Sequence, residues 1–240
     1  MELASGVHLV PGLTFGNACL VTQPEVVLFD CGLPGDGPAV LAYLKELGIA
    51  PADLQAVALT HADLGHAGAA PWLRRNSGAR ILASAAEARR AAGQVPLGTL
   101  RRAWSLGLGL VGRRPETFAV DALLEADEQV AGFVVVPTPG HTEGHVAFFR
   151  EADGILLAGD AVRVAGRDLL APAFWDSASE VRSRISLSHL ADLPVHLLVA
   201  GHGAPYREPG AELRRAGGPP GFLEDLIARR EERFARRRRR

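Results

Sequence analysis

The sequence predicts an α+β protein built as an αββα sandwich: two mixed β-sheets face to face, with helices on both outer faces. Three observations lead there. Short apolar runs gather in two successive strand-rich stretches, segments with helical spacing fall between them, and polar, metal-type residues directly follow four of the runs. A doubly wound parallel fold also suits the β-helix-β alternation in the middle of the chain, and pattern alone leaves both open.

The elements follow in order. Apolar runs at 7–10 (VHLV), 18–22 (ACLVT) and 26–30 (VVLFD) read as strands separated by Gly- and Pro-containing breaks. Residues 38–47 place apolar side chains at helical spacing and stop at Gly48. A buried strand, AVALT at 56–60, runs straight into His61. The next cycle repeats the scheme, with APWLRRN helical, ARILAS a strand and AAEARRAAG helical. Strands return as FVVVP at 133–137, HVAFFR at 145–150, GILLAG at 154–159 and VHLLVA at 195–200, the last preceded by a helix near 177–190. A final helix, roughly 210–236, is expected to bury Leu213, Phe222, Leu226 and Ile227. Between them, 95–116 mixes Leu, Arg and Gly and reads as a partly helical insertion carrying Trp104, Arg101-Arg102 and Arg113-Arg114. No repeat or linker divides residues 1–240, so one domain is expected.

Composition narrows the class. At 240 residues the chain can cover roughly 70% of its unfolded surface on folding. With 48% apolar and 22% charged residues it is ordinary globular material. No run approaches the ~18 apolar residues of a membrane span, and MELASGVHLV lacks a secretory pattern. Cytoplasmic residence is the expectation. A net charge of −1 argues against nucleic acid as a partner. The run Arg236 to Arg240 is the local exception, read as a solvated terminus. Cys19 and Cys31 sit inside strand-like runs and are expected as small, reduced core residues.

Four strand ends carry chemistry. ALT-HADLGH presents His61, Asp63 and His66; VVVPTPG-HTEGH presents His141 with His145; ILLAG-D presents Asp160; LLVAG-HG presents His202. Strand-end loops hold imidazoles and carboxylates in fixed geometry, and His with Asp is a ligand set for hydrolytic zinc. A lone His beside an apolar strand is more often a structural residue; four such segments point to a metal site. His8, His189 and His196 fall outside these segments and are expected to be structural or exposed.

With these residues the sequence resembles the metallo-β-lactamase superfamily. The family pattern T-H-x-H-x-D-H, then P-G-H-T-x-G, G-D and G-H-G, appears here as Thr60-His61-Ala62-Asp63-Leu64-Gly65-His66, Pro139-Gly140-His141-Thr142, Gly159-Asp160 and Gly201-His202-Gly203. FDCG, with Asp30 and Gly32, is similar to the family's strand-end Asp-x-Gly, and FLEDLIARREER is similar to its terminal helix. The resemblance implies a first metal held by His61, Asp63 and His141 and a second by His66 and His202, with Asp160 bridging. It also implies that Asp30 supports the ligands from behind. His145 is expected either to hold His141 or contact the substrate, or to pack on the strand face. Two departures stand out. Asp63 replaces a histidine, and Gly65 stands where the family has an aspartate that binds the second metal and orients water.

The resemblance implies a metal-dependent hydrolase of an ester-like bond, such as a thioester, lactone or phosphoester, acting on a small molecule. A bound metal lowers the pKa of its water from 15.7 to roughly 7 and so supplies hydroxide near neutral pH; no side chain stands out as a general base. Zinc, as one or two ions, is the expected cofactor, with manganese or iron as alternatives because of the added carboxylate. The loss of an aspartate at position 65 leaves a second class open, a non-catalytic binding or structural module.

Overall fold

The computed structural model describes residues 1–95, 107, 112, 115–172 and 177–218. The arginine pairs and Trp104 of the expected insertion, the basic tail, and Phe222, Leu226 and Ile227 lie outside the described residues.

Two mixed sheets face each other. The first has seven strands in chain order: β1 (Glu2–Ala4), β2 (Val7–Leu9), β3 (Cys19–Val21), β4 (Val27–Phe29), β5 (Ala56–Ala58), β6 (Arg80–Ala83) and β7 (Ala122–Leu123). It is antiparallel from β1 to β4 and parallel from β4 to β7. The parallel part needs crossovers. These contain α1 (Gly37–Glu46) between β4 and β5, α2 (Leu64–Ala67) and α3 (Ala70–Ser77) between β5 and β6, and α4 (Ala85–Ala91) after β6. The second sheet comprises β8 (Gln129–Val130), β9 (Phe133–Pro137), β10 (Val146–Arg150), β11 (Ile155–Gly159), β14 (Leu197–Ala200) and β15 (Tyr206–Arg207). Its order is β15-β14-β11-β10-β9-β8, with only β11 and β14 parallel. Between those two strands lie a hairpin, β12 (Arg163–Ala165) with β13 (Asp168–Leu170), and α5 (Glu180–Ala191); α6 (Gly210–Gly217) follows β15.

Period-two alternation in the strands explains the layers. From β4, Val27 and Phe29 point to the middle with Phe133, Val135, Phe148 and Leu157 of the opposite sheet. Phe29 packs tilted against Phe133 at 5.1 Å and edge-to-face against Phe148 at 4.7 Å between ring centroids. Leu28, one residue along, turns outward to meet Val40 and Leu44 of α1 and Leu73 of α3. On the far side Ala147, Phe149, Leu156 and Leu198 meet Leu187 and Leu190 of α5 and Leu213 of α6. This is the αββα sandwich, and the doubly wound alternative is excluded by the presence of two sheets.

One element ends earlier than its sequence pattern suggests. α6 stops at Gly217, capped by Gly218 at φ 106°, and the rest of the expected helix, 219–236, lies outside the described residues. The reason is local: Gly217-Gly218-Pro219-Pro220 supplies a helix stop followed by two residues that cannot continue it. Cys19 and Cys31 are buried, free core residues as expected. His8 is buried beside Tyr43, with Nδ1 3.2 Å from its hydroxyl, whereas His196 is exposed before the start of β14. Among the described residues no helix is long and apolar enough to cross a membrane.

Candidate metal centre

The pairs β4–β5 and β11–β14 each run parallel, so each pair delivers its C-terminal ends to one edge of its sheet. At those ends stand Asp30, His61, Asp160 and His202, and the loop between β9 and β10 adds His141. The one-turn helix α2 follows Asp63 and turns His66 inward.

The donor atoms converge. His61 Nε2 lies 3.8 Å from Asp63 Oδ2 and 3.9 Å from Asp160 Oδ2. His141 Nε2 lies 3.2 Å from Asp63 Oδ2 and 3.6 Å from Asp160 Oδ2. The other oxygen of Asp160, Oδ1, is 3.4 Å from His66 Nε2 and 3.6 Å from His202 Nε2, and those two nitrogens are 3.4 Å apart. Ligand atoms around a four-coordinate zinc with bonds of about 2.0–2.1 Å stand about 3.3 Å apart, close to these separations. Asp160 therefore straddles two groups, offering one oxygen to each. Donor atoms of His61, Asp63 and His141 all fall within 4.8 Å of one another, as do those of His61, His66 and Asp160.

The surrounding hydrogen bonds set the ring orientations. Asp30, held at φ 55°, accepts from the Thr60 amide at 2.8 Å, the Thr60 hydroxyl at 2.8 Å and His66 Nδ1 at 2.8 Å. With its proton given to Asp30, the Thr60 hydroxyl can only accept from His61 Nδ1, 2.9 Å away. His61 Nε2 is thus bare, buried and without a hydrogen-bond partner among the described residues. Leaving a buried polar atom unsatisfied costs free energy, and a cation between this nitrogen and the carboxylates would satisfy it. The residues fit a metal.

His145 belongs to this scaffold. Its Nε2 accepts the Asp160 backbone N–H at 3.1 Å, so its Nδ1 carries the proton toward Thr138 Oγ1 at 2.7 Å. The ring therefore lies against the backbone of Asp160, just ahead of β10, which begins at Val146. Burial lowers its pKa to about 3. Burial, with His66 and His141 beside it, also holds His61 well below the usual imidazole value. Burial opposes charge on His66 too, but the carboxylates of Asp160 and Asp30 outweigh it and raise its pKa well above that value. Asp160 is likewise disfavoured as an anion by burial, yet His66 and hydrogen bonds from His202 and His66 hold its pKa well down.

Several contributors escaped the sequence patterns. Arg90 of α4 donates from Nη2 to Asp63 Oδ1 at 2.7 Å, and its Nε lies 3.3 Å from Glu87 Oε2. Glu87, fully buried, accepts the amides of Ala62 at 2.8 Å and Gly144 at 3.1 Å, tying together the two loops that carry Asp63 and His141. Asn17 brackets His202: its side chain donates to Ala200 O at 2.9 Å and Gly203 O at 2.8 Å, and its amide to Gly201 O at 2.7 Å. Phe15 packs tilted against the His202 ring, with centroids 4.4 Å apart. The capping pattern Ser84-x-x-Glu87 marked the start of α4, but nothing local tied Glu87 to the site.

This fold and donor arrangement agree with the sequence comparisons: the Metallo-beta-lactamase superfamily pattern matches residues 11–202. The chain belongs to that superfamily. It is 28% identical over 234 residues to "Probable metallo-hydrolase YflN" of Bacillus subtilis (strain 168), covering 85% of this chain and 86% of that protein. It is 30% identical over 161 residues to the hydroxyacylglutathione hydrolase of Ectopseudomonas mendocina (strain ymp), covering 67% of this chain but only 51% of that protein. Among solved structures, TTHA1623 in a di-iron-bound form is similar at a TM-score of 0.65 and 26% identity, over 82% of this chain and 92% of that one. Hydrolase chemistry and metal binding are thus the properties of the superfamily relatives.

Proposed function

We propose that this protein is a metal-dependent hydrolase of an ester-like bond in a small molecule, a thioester ahead of a lactone or phosphoester. The observation that carries the reading is the pair of oxygens of Asp160, each facing a separate cluster of imidazoles across 3.4–3.9 Å. His61, Asp63, His141 and Asp160 would hold one ion, and His66, His202 and Asp160 a second. Zinc is the first choice; iron gains support from the di-iron neighbour, and manganese shares the same carboxylate preference. The preference for a thioester draws on the hydroxyacylglutathione hydrolase relative. Residues 1–240 act together as one domain in this reading.

When bound, the metal supplies Lewis acidity and acidifies water. The chain's own residues do the rest. Asp30 and Thr60 keep protons on the Nδ1 atoms of His66 and His61, so both rings present Nε2 to the ion. Polar partners behind metal ligands fix their orientation and raise their basicity. His145 holds the backbone of Asp160, and Arg90 turns Asp63 toward His141.

The test is metal content on protein purified without chelator, followed by turnover on a panel of thioesters, lactones and phosphoesters. Bound metal with chelator-sensitive hydrolysis of any panel member supports the proposal. Bound metal with an inert panel favours a binding module; no metal after exposure to zinc, manganese and iron removes the reading.

A further inference from the structure

The two clusters that share Asp160 are unequal, and the inequality traces to Phe15 and Gly65. Around Asp160 Oδ2 stand His61, Asp63 and His141; among the described residues Oδ1 faces His66 and His202, the latter more than a third exposed. Gly65 lies on the one-turn helix beside His66. A Cβ placed on Gly65 would come within 2.9 Å of Phe15 Cδ1 and 3.1 Å of Cε1. The phenyl ring thus occupies the room into which a side chain at position 65 would project, and it also packs against the His202 ring.

Phe15 is held there by its own loop. Thr14 is pinned to the buried Asp36 through its amide at 3.1 Å and its hydroxyl at 2.7 Å. Gly16, at φ +80°, passes so close to Gly65 O that a Cβ there would stand 2.8 Å from it. Asn17 is anchored to the His202 loop by three hydrogen bonds. With both flanks tied, clearing this space falls to the ring, which would then give up its contact with His202.

We propose that Phe15 and Gly65 act as one unit that denies the His66–Asp160–His202 cluster a further protein ligand and makes it the weaker metal position. This rests on the metal-centre reading above, and resting on it, explains how the chain tolerates glycine at 65. A carboxylate at 65 does not rebuild the position while Phe15 remains, because ligand and ring compete for the same space. Removing the ring alone adds no ligand.

The experiment is a zinc titration of the full chain, read by metal content after dialysis and by calorimetry, on wild type, Gly65→Asp, Phe15→Ala and the double variant. Expected is one tight zinc in the wild type with the second at least tenfold weaker. Each single variant should leave the second affinity within threefold, and the double variant should tighten it tenfold or more. Two equally tight zincs in the wild type, a Gly65→Asp variant as tight as the double, or a double variant without gain would each overturn the proposal. Wild type without any zinc would overturn the metal centre itself, an outcome distinct from the others. Should the aspartate variants fold poorly, Gly65→Ala in metal-free protein serves instead. It should lower Tm with Phe15 present and leave Tm unchanged in the Phe15→Ala background; equal shifts in both backgrounds would refute the steric coupling.

Discussion

Glu87 is the buried carboxylate on which the orientation of Asp63 rests, and removing it should damage stability and metal binding together. In Glu87→Ala the amides of Ala62 and Gly144 lose their acceptors, and Arg90 loses its neighbour at 3.3 Å. A buried donor left without a partner costs about 1–3 kcal/mol. Two such donors give about 2–6 kcal/mol, and because both bonds are only part-buried, so that water can reach them, the lower half, about 2–4 kcal/mol, is the expectation. Glu87→Gln keeps one carbonyl oxygen for one of the two amides and should lose about half as much. Urea unfolding of chelator-treated protein, followed by circular dichroism, measures both variants against wild type. Metal affinity should also fall in Glu87→Ala, by at most about 10-fold, because Glu87 reaches Asp63 only through Arg90. A loss below about 1 kcal/mol at unchanged denaturant slope, with metal affinity intact, would refute the reasoning that Glu87 joins the two loops.

Three further outcomes are expected. Asn17→Ala removes two side-chain hydrogen bonds to the His202 loop and should destabilise the protein by about 1–2 kcal/mol; thermal unfolding identical to wild type would show that the bracket is idle. His145 titrates near 6.5 when unfolded and at about 3 when folded, so the unfolded state binds more protons between those values and stability falls as pH drops below about 6.5. In chelator-treated protein, His145→Gln should therefore lessen the pH dependence over that window by up to about 1.4 kcal/mol per pH unit, and parallel curves for the two proteins would count against it. Burial, then the charge of Asp30, pushes the Cys19 thiol up to about 12, and burial raises Cys31 as well. At pH 8 only roughly one Cys19 in 10⁴ would be thiolate, so a disulfide reagent should find neither cysteine in the native protein and both after unfolding; rapid native labelling of either would contradict the packing.

Much of the architecture was legible because its signals are local. Leu28 and Phe29 alternate between an outer helix layer and the middle of the sandwich, a consequence of strand pleating that a run of residues states by itself. His61, Asp160 and His202 announce themselves because each stands within three residues of the end of an apolar strand. The end of α6 was misjudged, because apolar spacing beyond it suggested a longer element and outweighed the Gly217-Gly218-Pro219-Pro220 stop.

What only the tertiary structure decided is how those donors are held and how much room each has. Asn17 meets the His202 loop across 183 and 186 residues, Glu87 reaches Gly144 across 57, and Arg90 reaches Asp63 across 27. No periodicity encodes such pairs, since they arise only when the two sheets close and bring their strand ends to one edge. Gly65 shows the same division. The sequence determined that this position carries no ligand; the closed sandwich decided that Phe15 takes the space, because a loop pinned at Asp36 and Gly201 delivers the ring there.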